Sequence, residues 1–220
     1  MIDLQREGTV FVLRMTRGEN RFNPDFLAAM NAALDEVEGA ARPSALVTTG
    51  EGKFYSNGLD LAWMGTDGVD AIAFVRTVHR LLGRVLSFPR PTVAALNGHA
   101  FAGGAMLALA HDFAVMRADR GYFCLPEADL GIPFTAPMNA LIGSRIAQPA
   151  LHEACTTGRR YGAEEARAAG IVAAVAPEAE VLAAAVARAE ALASKDATTL
   201  QAIKRGMYAS ALALLEGDGG

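Results

Sequence analysis

The segment from residue 97 to residue 106 reads NGHAFAGGAM and lies between two apolar patterns of different period. Before it, residues 92–96 have the composition of a buried strand, and after it the small and apolar residues 102–110 predict a helix. A helix N-terminus exposes unpaired N–H groups and the positive end of the helix dipole, so this strand, turn and helix start would suit an oxyanion. The alternative is that Gly103 and Gly104 only permit close helix packing.

The same segment belongs to an uncharged stretch, residues 91–111, that is long enough to cross a bilayer. Pro91, the Asn97-Gly98 pair and His99 interrupt the stretch and would leave polar groups without partners in lipid. We therefore interpret it as part of a globular core and expect no membrane association.

The composition is that of a compact, mildly acidic protein. The 220 residues are 52% hydrophobic and carry 20 basic and 24 acidic side chains, for a formal net charge of -4. A chain of this length can bury one sizeable core without disulfides or a structural metal. The acidic balance and the lack of a Lys/Arg run argue against a nucleic-acid partner.

The termini and the cysteines add two expectations. No apolar segment follows a basic start at the N-terminus, so we expect no secretory signal and a cytoplasmic location. Cys124 and Cys155 are far apart and have no neighbouring His cluster, so we expect two reduced structural thiols and no metal site.

Alternating strand and helix patterns extend outward from the central segment. Strands are predicted at residues 4–7, 9–15, 45–49, 92–96, 113–116 and 171–175, and helices at residues 24–38, 69–86, 102–110, 148–157, 163–168, 181–192 and 198–214. The first two strands predict an antiparallel pair, and the later strand-helix-strand order predicts an α/β core with parallel pairing. A boundary near Gln148 would divide an α/β part, residues 1–147, from a helical part, residues 148–220. Residues 217–220 are expected to be disordered.

A second candidate site segment, residues 54–61, reads FYSNGLDL. Gly58 would let backbone N–H groups approach a ligand closely. Ser56 is not predicted to be a nucleophile, because Phe54 stands where the nucleophile elbow needs its first glycine. The alternative is an ordinary loop in which Asp60 caps the next helix.

A third segment holds two isolated carboxylates. Glu127 and Asp129 are the only formal charges between Arg120 and Arg145. Apolar surroundings disfavour the charged form of a carboxyl group and raise its pKa toward the range useful for proton transfer. A spacing of two would place these residues on opposite sides of an extended backbone, so that only one need face a pocket. The alternative is that both cap the following segment.

Taken in order, the three segments resemble the crotonase superfamily, also called the enoyl-CoA hydratase/isomerase family. The resemblance covers residues 4–175, and the strings KFYSNGLDLAW (residues 53–63) and MLALAHD (residues 106–112) look most like Δ3,Δ2-enoyl-CoA isomerases of the plant type. It implies a crotonase-like α/β fold (the ClpP/crotonase fold) of repeated ββα units. It also implies a helical C-terminal region that forms trimers or dimers of trimers and helps to close the acyl-CoA pocket.

The resemblance implies roles for particular residues as well. The backbone N–H groups of Leu59 and Gly103 would form the oxyanion hole for the thioester carbonyl, and Glu127 would be the catalytic base. Met106 stands where hydratases of the family carry a second glutamate, which favours isomerisation over hydration. Further substrate contacts are predicted at Ser56, Asn57, Gly58, Asp60, Trp63, Gly104, Met106 and Phe134, with Met64 and Phe101 as additional apolar walls.

The expected activity is therefore conversion of 3-enoyl-CoA to trans-2-enoyl-CoA in fatty-acid β-oxidation. It would need no metal and no cofactor, since CoA is part of the substrate. One alternative is a hydratase or another acyl-CoA enzyme of the family in which Asp129 or His99 assists Glu127. Another is an acyl-CoA-binding protein without turnover. The expected assembly is a homotrimer or a homohexamer.

Overall fold

A computed structural model describes residues 2–217 of the chain. The strands are β1 (Ile2–Glu7), β2 (Val10–Met15), β3 (Ala45–Gly50), β4 (Phe54–Ser56), β5 (Thr92–Leu96), β6 (His99–Phe101), β7 (Phe113–Arg117), β8 (Phe123–Cys124) and β9 (Ala174–Ala176). The helices are α1 (Pro24–Gly39), α2 (Leu61–Met64), α3 (Ala71–Leu86), α4 (Gly103–Ala110), α5 (Glu127–Leu130), α6 (Ala136–Arg145), α7 (Ala150–Thr157), α8 (Ala163–Ala168), α9 (Val181–Glu190), α10 (Ala197–Met207) and α11 (Ala209–Glu216).

Two sheets organise these elements. The larger has the strand order β1-β2-β3-β5-β7-β9, and the smaller has the order β4-β6-β8. Strands β1 and β2 pair antiparallel, and every later neighbour in both sheets pairs parallel. Parallel pairing requires crossover connections, and here α1, α3 and α4 lie in those connections. The predicted α/β core with an antiparallel start and parallel continuation is confirmed.

The larger sheet is buried on both faces. The main core cluster joins one face to α1, α3, α4 and α6. A second, smaller cluster joins Val10, Val47 and Val93 on the other face to α9. Strands β2, β3, β5 and β7 therefore read mainly as apolar runs, as is usual for strands covered on both sides, whereas the edge strand β1 is polar and largely exposed.

The N-termini of α1 and α3 are capped by polar side chains that precede each helix in the sequence. Asn23 accepts a hydrogen bond from the Phe26 N–H at 3.0 Å, and Pro24 occupies the first turn of α1. Asp70 caps α3 by accepting from the Ala73 N–H, so this helix begins at Ala71 rather than at residue 69.

The C-terminal third differs from prediction in two places. The helix predicted for residues 198–214 is two helices, α10 and α11, because Tyr208 leaves helical geometry with a φ of -108° and a ψ of 20°. The Tyr208 hydroxyl contacts the Arg145 guanidinium, and α11 turns back to pack on α3 and α6. The last strand is β9 rather than residues 171–175, since Ile171 and Val172 enter the core ahead of the strand.

Several short elements had no counterpart in the sequence analysis: α2, α5, α6 and the three strands of the smaller sheet. The expected disorder of residues 218–220 lies outside the described residues. Within residues 2–217, no helix is both long and apolar enough to cross a bilayer. The uncharged stretch 91–111 instead forms β5, β6 and the wholly buried helix α4.

Candidate active site

A cavity of about 470 Å³ opens between the smaller sheet, α3 and the segment 126–138. It combines residues from all three sequence segments singled out above. Its lining residues are Arg21, Asn57, Leu59, Leu61, Met64, Val75, Val78, Phe101, Ala102, Gly103, Met106, Pro126, Glu127, Leu130, Ile132, Pro133, Thr135 and Met138. The wall is thus largely apolar, with a few polar groups, which is the usual make-up of a small-molecule site.

The N-terminus of α4 meets this cavity. Gly103 is the first residue of the helix, and Met106 closes its first turn with 1% of its surface exposed. Ala102, just before the helix, has a φ of +49°, a conformation that costs an L-residue free energy unless its surroundings enforce it. Hydrogen bonds enforce it here: the Ala102 N–H donates to the Cys124 carbonyl at 3.1 Å, and the Met106 N–H donates to the Ala102 carbonyl at 3.0 Å.

The loop after β4 brings Leu59 to the same wall. The backbone of Phe22 is hydrogen-bonded to this loop on both sides of Leu59. The Phe22 N–H donates to the Gly58 carbonyl at 2.7 Å, and the Phe22 carbonyl accepts from the Asp60 N–H at 2.9 Å. Gly58 has a φ of +75° and packs against Gly103. Neither the Leu59 N–H nor the Gly103 N–H donates a hydrogen bond to another residue in the range 2–217. Two free backbone donors therefore belong to the cavity wall.

Glu127 supplies the carboxylate of the cavity. It is the first residue of α5, and it is 7% exposed. Its Oε2 atom is buried and has no hydrogen-bond partner among the described residues. Burial raises the pKa of Glu127 to about 7, against a smaller opposing effect from a backbone hydrogen bond. A carboxyl group with this pKa can both take up and release a proton near neutral pH.

Asp129, the competing carboxylate, points elsewhere. The two acids lie in one short helix rather than on an extended backbone, and a spacing of two in a helix also separates side chains onto opposite sides. A Cβ added at Gly158, the C-cap residue of α7, would lie 2.5 Å from Asp129 Oδ2, so the Asp129 carboxylate lies beside Gly158, and Asp129 does not line the cavity. Glu127 is therefore the carboxylate that faces the cavity.

His99 is also placed away from the cavity wall. It opens β6, and its ring lies among those of Phe54, Phe101 and Tyr122, with centroid distances of 5.3, 4.8 and 5.6 Å. Burial lowers its pKa, as do the neighbouring cations Lys53, Arg120 and Arg160. Its Nδ1 makes no hydrogen bond within the described chain, and the ring packs against aromatic neighbours rather than lining the cavity beside Glu127.

The predicted contacts Asn57, Met106, Met64 and Phe101 line the cavity together with Leu59, Gly103 and Glu127. The others have supporting positions behind it. Ser56 is fully buried and donates to the Asn20 carbonyl at 2.8 Å, and Asp60 accepts from the Trp63 N–H at 3.2 Å as the cap of α2.

Gly58, Gly104, Trp63 and Phe134 also lie outside the cavity lining. A Cβ on Gly104 would lie 2.3 Å from the Ser56 carbonyl oxygen, so this glycine permits α4 to pack on β4. Trp63 packs edge-to-face on Phe74 with a centroid distance of 4.7 Å, and Phe134 packs against the main core. In the structure these four residues, Ser56 and Asp60 lie behind the lining residues, and the substrate contacts expected of them stay predictions.

The sequence analysis missed part of the lining. Arg21 and Thr135 are polar, and Val75, Val78 and Met138 are helix residues that face the cavity. Val75 and Val78 lie in the helix predicted at residues 69–86, and no local signal separates a cavity-facing apolar residue from a core residue. A signal was available for Thr135, since Thr135-Ala136-Pro137 is a helix start and Thr135 caps α6.

The described residues contain no cluster of three or more His, Cys, Asp or Glu side chains that could hold a metal ion. Cys124 and Cys155 are free thiols, as expected. Burial raises the pKa of both, to about 11 for Cys124. Within residues 2–217 the polar groups of the cavity wall are thus a carboxylate, two free backbone donors and the side chains of Arg21, Asn57 and Thr135.

Comparison with known proteins gives consistent results. The family model described as enoyl-CoA hydratase/isomerase matches residues 5–216. Enoyl-CoA delta isomerase 3 of Arabidopsis thaliana is 41% identical over 207 residues, which cover 89% of this chain and 86% of the relative.

Solved structures show the same fold. The human mitochondrial delta3-delta2-enoyl-CoA isomerase superposes with a TM-score of 0.89 at 26% identity, covering 97% of this chain and 85% of that chain. A probable enoyl-CoA hydratase from Mycobacterium tuberculosis superposes with a TM-score of 0.91 at 29% identity, covering 97% and 91%.

Proposed function

This chain belongs to the enoyl-CoA hydratase/isomerase family, the crotonase family, and we propose that it is a Δ3,Δ2-enoyl-CoA isomerase of fatty-acid β-oxidation. The observation that carries the proposal is one cavity that holds a buried carboxylate with a pKa of about 7 and two free backbone N–H donors. The similarity to an enoyl-CoA delta isomerase over most of both chains supports the choice of reaction.

The substrate carbonyl oxygen would lie between the N–H groups of Leu59 and Gly103. Charge develops on this oxygen when a proton leaves C2, so donors placed there stabilise the transition state more than the ground state. One such donor lowers the barrier in hydrolases by about 3 kcal/mol. The positive end of the α4 dipole acts in the same direction.

Glu127 would move the proton. Its carboxylate takes the C2 proton, the C2–H electron pair forms the C1–C2 double bond, and a dienolate with negative charge on the thioester oxygen results. The C3–C4 π pair then takes the proton of Glu127 at C4, the C1–C2 π pair moves to C2–C3, and the enolate oxygen restores the C1 carbonyl, which leaves Glu127 as a carboxylate again. The product is trans-2-enoyl-CoA, and neither a metal nor a redox step enters this sequence.

Met106 favours isomerisation over hydration. By resemblance, hydratases of the family carry a second glutamate at this place in the first turn of the helix. Met106 is buried and lines the cavity, and a thioether can neither orient nor deprotonate a water molecule. With a single base, proton transfer within the substrate is the simpler reaction.

We further propose that the enzyme works in the cytoplasm as a homotrimer or homohexamer. Residues 1–147 would form the catalytic part, and the C-terminal region would make subunit contacts and help to close the pocket. The exposed side chains of Ile203 (52%) and Met207 (68%) on α10 support such a contact surface. Light scattering of the purified protein tests the assembly.

The experiment that tests the reaction uses two substrates in parallel. The purified enzyme is incubated with 3-enoyl-CoA and, separately, with 2-enoyl-CoA in water, and the products are separated by chromatography. The isomerase predicts rapid formation of 2-enoyl-CoA from the first and little 3-hydroxyacyl-CoA from the second. Rapid hydration of 2-enoyl-CoA would instead assign a hydratase, and binding without turnover of either would assign an acyl-CoA-binding protein.

A further inference from the structure

A chain of three buried polar side chains runs behind the cavity without lining it. The Tyr55 hydroxyl lies 2.8 Å from Thr48 Oγ1, which lies 2.9 Å from His111 Nε2. His111 Nδ1 in turn lies 2.8 Å from the Leu107 carbonyl oxygen. Tyr55 and His111 are fully buried, and Thr48 is 1% exposed. The proton transfer proposed above does not use any of these groups.

Donor and acceptor roles in this chain follow from the Leu107 carbonyl, which can only accept. His111 Nδ1 must therefore carry a hydrogen, and Nε2 of the neutral ring must accept from the Thr48 hydroxyl. The Thr48 oxygen is then free to accept from the Tyr55 hydroxyl. Burial lowers the pKa of His111 to about 4 and raises the pKa of Tyr55, so both stay neutral around pH 7. Each hydrogen bond in this network thus has a defined donor and a defined acceptor.

The three residues connect the elements that carry the two free N–H groups. Tyr55 lies in β4, which leads directly into the loop with Leu59. His111 follows the last residue of α4, the helix that begins at Gly103. Thr48 lies in β3, in the middle of the larger sheet. The network therefore attaches both donor segments to one point on a strand that is paired on both sides.

Arg145 makes a second set of contacts, at the C-terminal end of α4. Arg145 donates from Nε to the Leu109 carbonyl at 2.7 Å and from Nη2 to the His111 carbonyl at 2.7 Å. The carbonyl groups at the end of α4 are consequently bonded to side chains, which fixes the helix along its axis. A small axial shift of α4 would move Gly103 relative to Leu59, and oxyanion stabilisation depends steeply on such distances.

We infer that Tyr55, Thr48 and His111 are positioning residues of the oxyanion hole: they set the separation of the Leu59 and Gly103 N–H groups through β4 and α4. This inference rests on the proposed function of those two donors. Loss of the network should therefore weaken stabilisation of the enolate more than it weakens binding of the uncharged substrate.

The test compares Thr48→Val and Tyr55→Phe with the matched control Thr49→Val. Thr49 is the next residue of β3, is 2% exposed and donates to the Ala95 carbonyl at 3.0 Å, so the control also loses one buried hydroxyl from the same strand. Thr49 has no contact with the network, because neighbouring strand residues point to opposite faces of the sheet.

Two readouts are used. The first is the division of the effect between kcat and KM for 3-enoyl-CoA. The second is the pH at which a bound 3-oxoacyl-CoA ionises to its enolate, followed by near-ultraviolet absorbance. For Thr48→Val we expect kcat to fall at least about tenfold, while KM stays within about threefold of the wild-type value. The expected loss of kcat is smaller than the roughly 100- to 1000-fold loss caused by removing a donor altogether. Enolate formation should shift upward by about one pH unit, the equivalent of tenfold.

Tyr55→Phe should change both readouts in the same direction by a smaller amount, and it decides the question if Thr48→Val does not fold. The inference is overturned if neither variant lowers kcat more than Thr49→Val, or if the enolate titration is the same in all three. An inactive wild-type enzyme would remove the proposed function but not the second readout, which needs only binding of the 3-oxoacyl-CoA. The two failures are thus distinguishable.

Discussion

The backbone of Gly58 lies against the backbone nitrogen of Gly103, so closely that a Cβ added at position 58 would sit 2.7 Å from that nitrogen. The loop that carries Leu59 and the helix that begins at Gly103 are therefore in direct backbone contact. Only glycine permits this approach, and Gly58 also has a φ of +75°, which disfavours any side chain.

Gly58→Ala should accordingly damage the oxyanion hole. The added methyl group must push the loop away from Gly103, so we expect a loss of kcat of about 100-fold or more for 3-enoyl-CoA, comparable with the loss of one donor. Gly52→Ala is the matched control, because Gly52 has a φ of +70° but nothing within 4 Å of an added Cβ. Equal kcat in the two variants would show that the Gly58–Gly103 contact does not matter for turnover.

Met106→Glu should change the balance between two reactions. It places a second carboxyl group in the first turn of α4, in the same cavity as Glu127. We expect slower isomerisation and a measurable gain in hydration of 2-enoyl-CoA, because two carboxyl groups can share activation of a water molecule. Met106→Gln controls for size and polarity. The role given to Met106 would be contradicted if Met106→Glu has the unfolding curve of the wild type and still does not hydrate 2-enoyl-CoA.

The pH profile of the enzyme should report Glu127. The base must be a carboxylate to accept the C2 proton, and burial raises the pKa of Glu127 to about 7. We therefore expect kcat/KM to be half-maximal near pH 7, to level off above about pH 8 and to approach a tenfold fall per pH unit below about pH 6. Initial rates between pH 5 and pH 9 measure this. A profile that stays flat down to about pH 5 would show either that Glu127 is not the base or that its pKa is not raised.

Lys204 should be among the residues on which stability depends most. Its ammonium group is buried and donates to the carbonyls of Phe88 and Arg90 at 2.9 and 3.0 Å and to Asp112 at 2.7 Å. Lys204→Met leaves the two carbonyls without this donor and leaves the Asp112 carboxylate without its cation, although Asp112 still accepts from the Thr92 N–H at 2.8 Å. We expect a loss of roughly 3–5 kcal/mol in the free energy of unfolding by urea. Exposed Lys195→Met should cost less than about 0.5 kcal/mol. Similar midpoints for the two variants would refute the structural role of Lys204.

The sequence predicted the fold where local signals are strong. The Asn23-Pro24 helix start, the antiparallel first strands and the parallel repeats all appear in the structure. The break at Tyr208 has only a weak signal in the sequence, Gly206 two residues earlier, and the hydroxyl contact with Arg145 is tertiary. The short helix α5 was missed for a related reason, since four residues are too few for a periodic pattern.

The candidate site likewise combines residues that have a local signal in the sequence with residues that do not. The two isolated carboxylates Glu127 and Asp129 are visible in the chain itself, the family resemblance selects Glu127 as the base, and the structure places Glu127 in the cavity wall. Arg21 could not be predicted, because it reaches the cavity from a part of the sequence distant from the three segments. The buried hydrogen bond from Ser56 to the Asn20 carbonyl had no signal in the sequence, because the two residues meet only in the tertiary structure.

The role of Glu127 as the single base is the central claim, and the isomerisation rate of Glu127→Gln measures it most directly. The substitution keeps size and polarity, and unfolding curves together with binding of a saturated acyl-CoA show that fold and pocket remain. Asp129→Asn, which changes the neighbouring carboxylate outside the cavity, is the control. The account predicts a loss of kcat for 3-enoyl-CoA of about 100- to 10,000-fold in Glu127→Gln and less than about threefold in Asp129→Asn. A Glu127→Gln enzyme that isomerises 3-enoyl-CoA at the wild-type rate would contradict it.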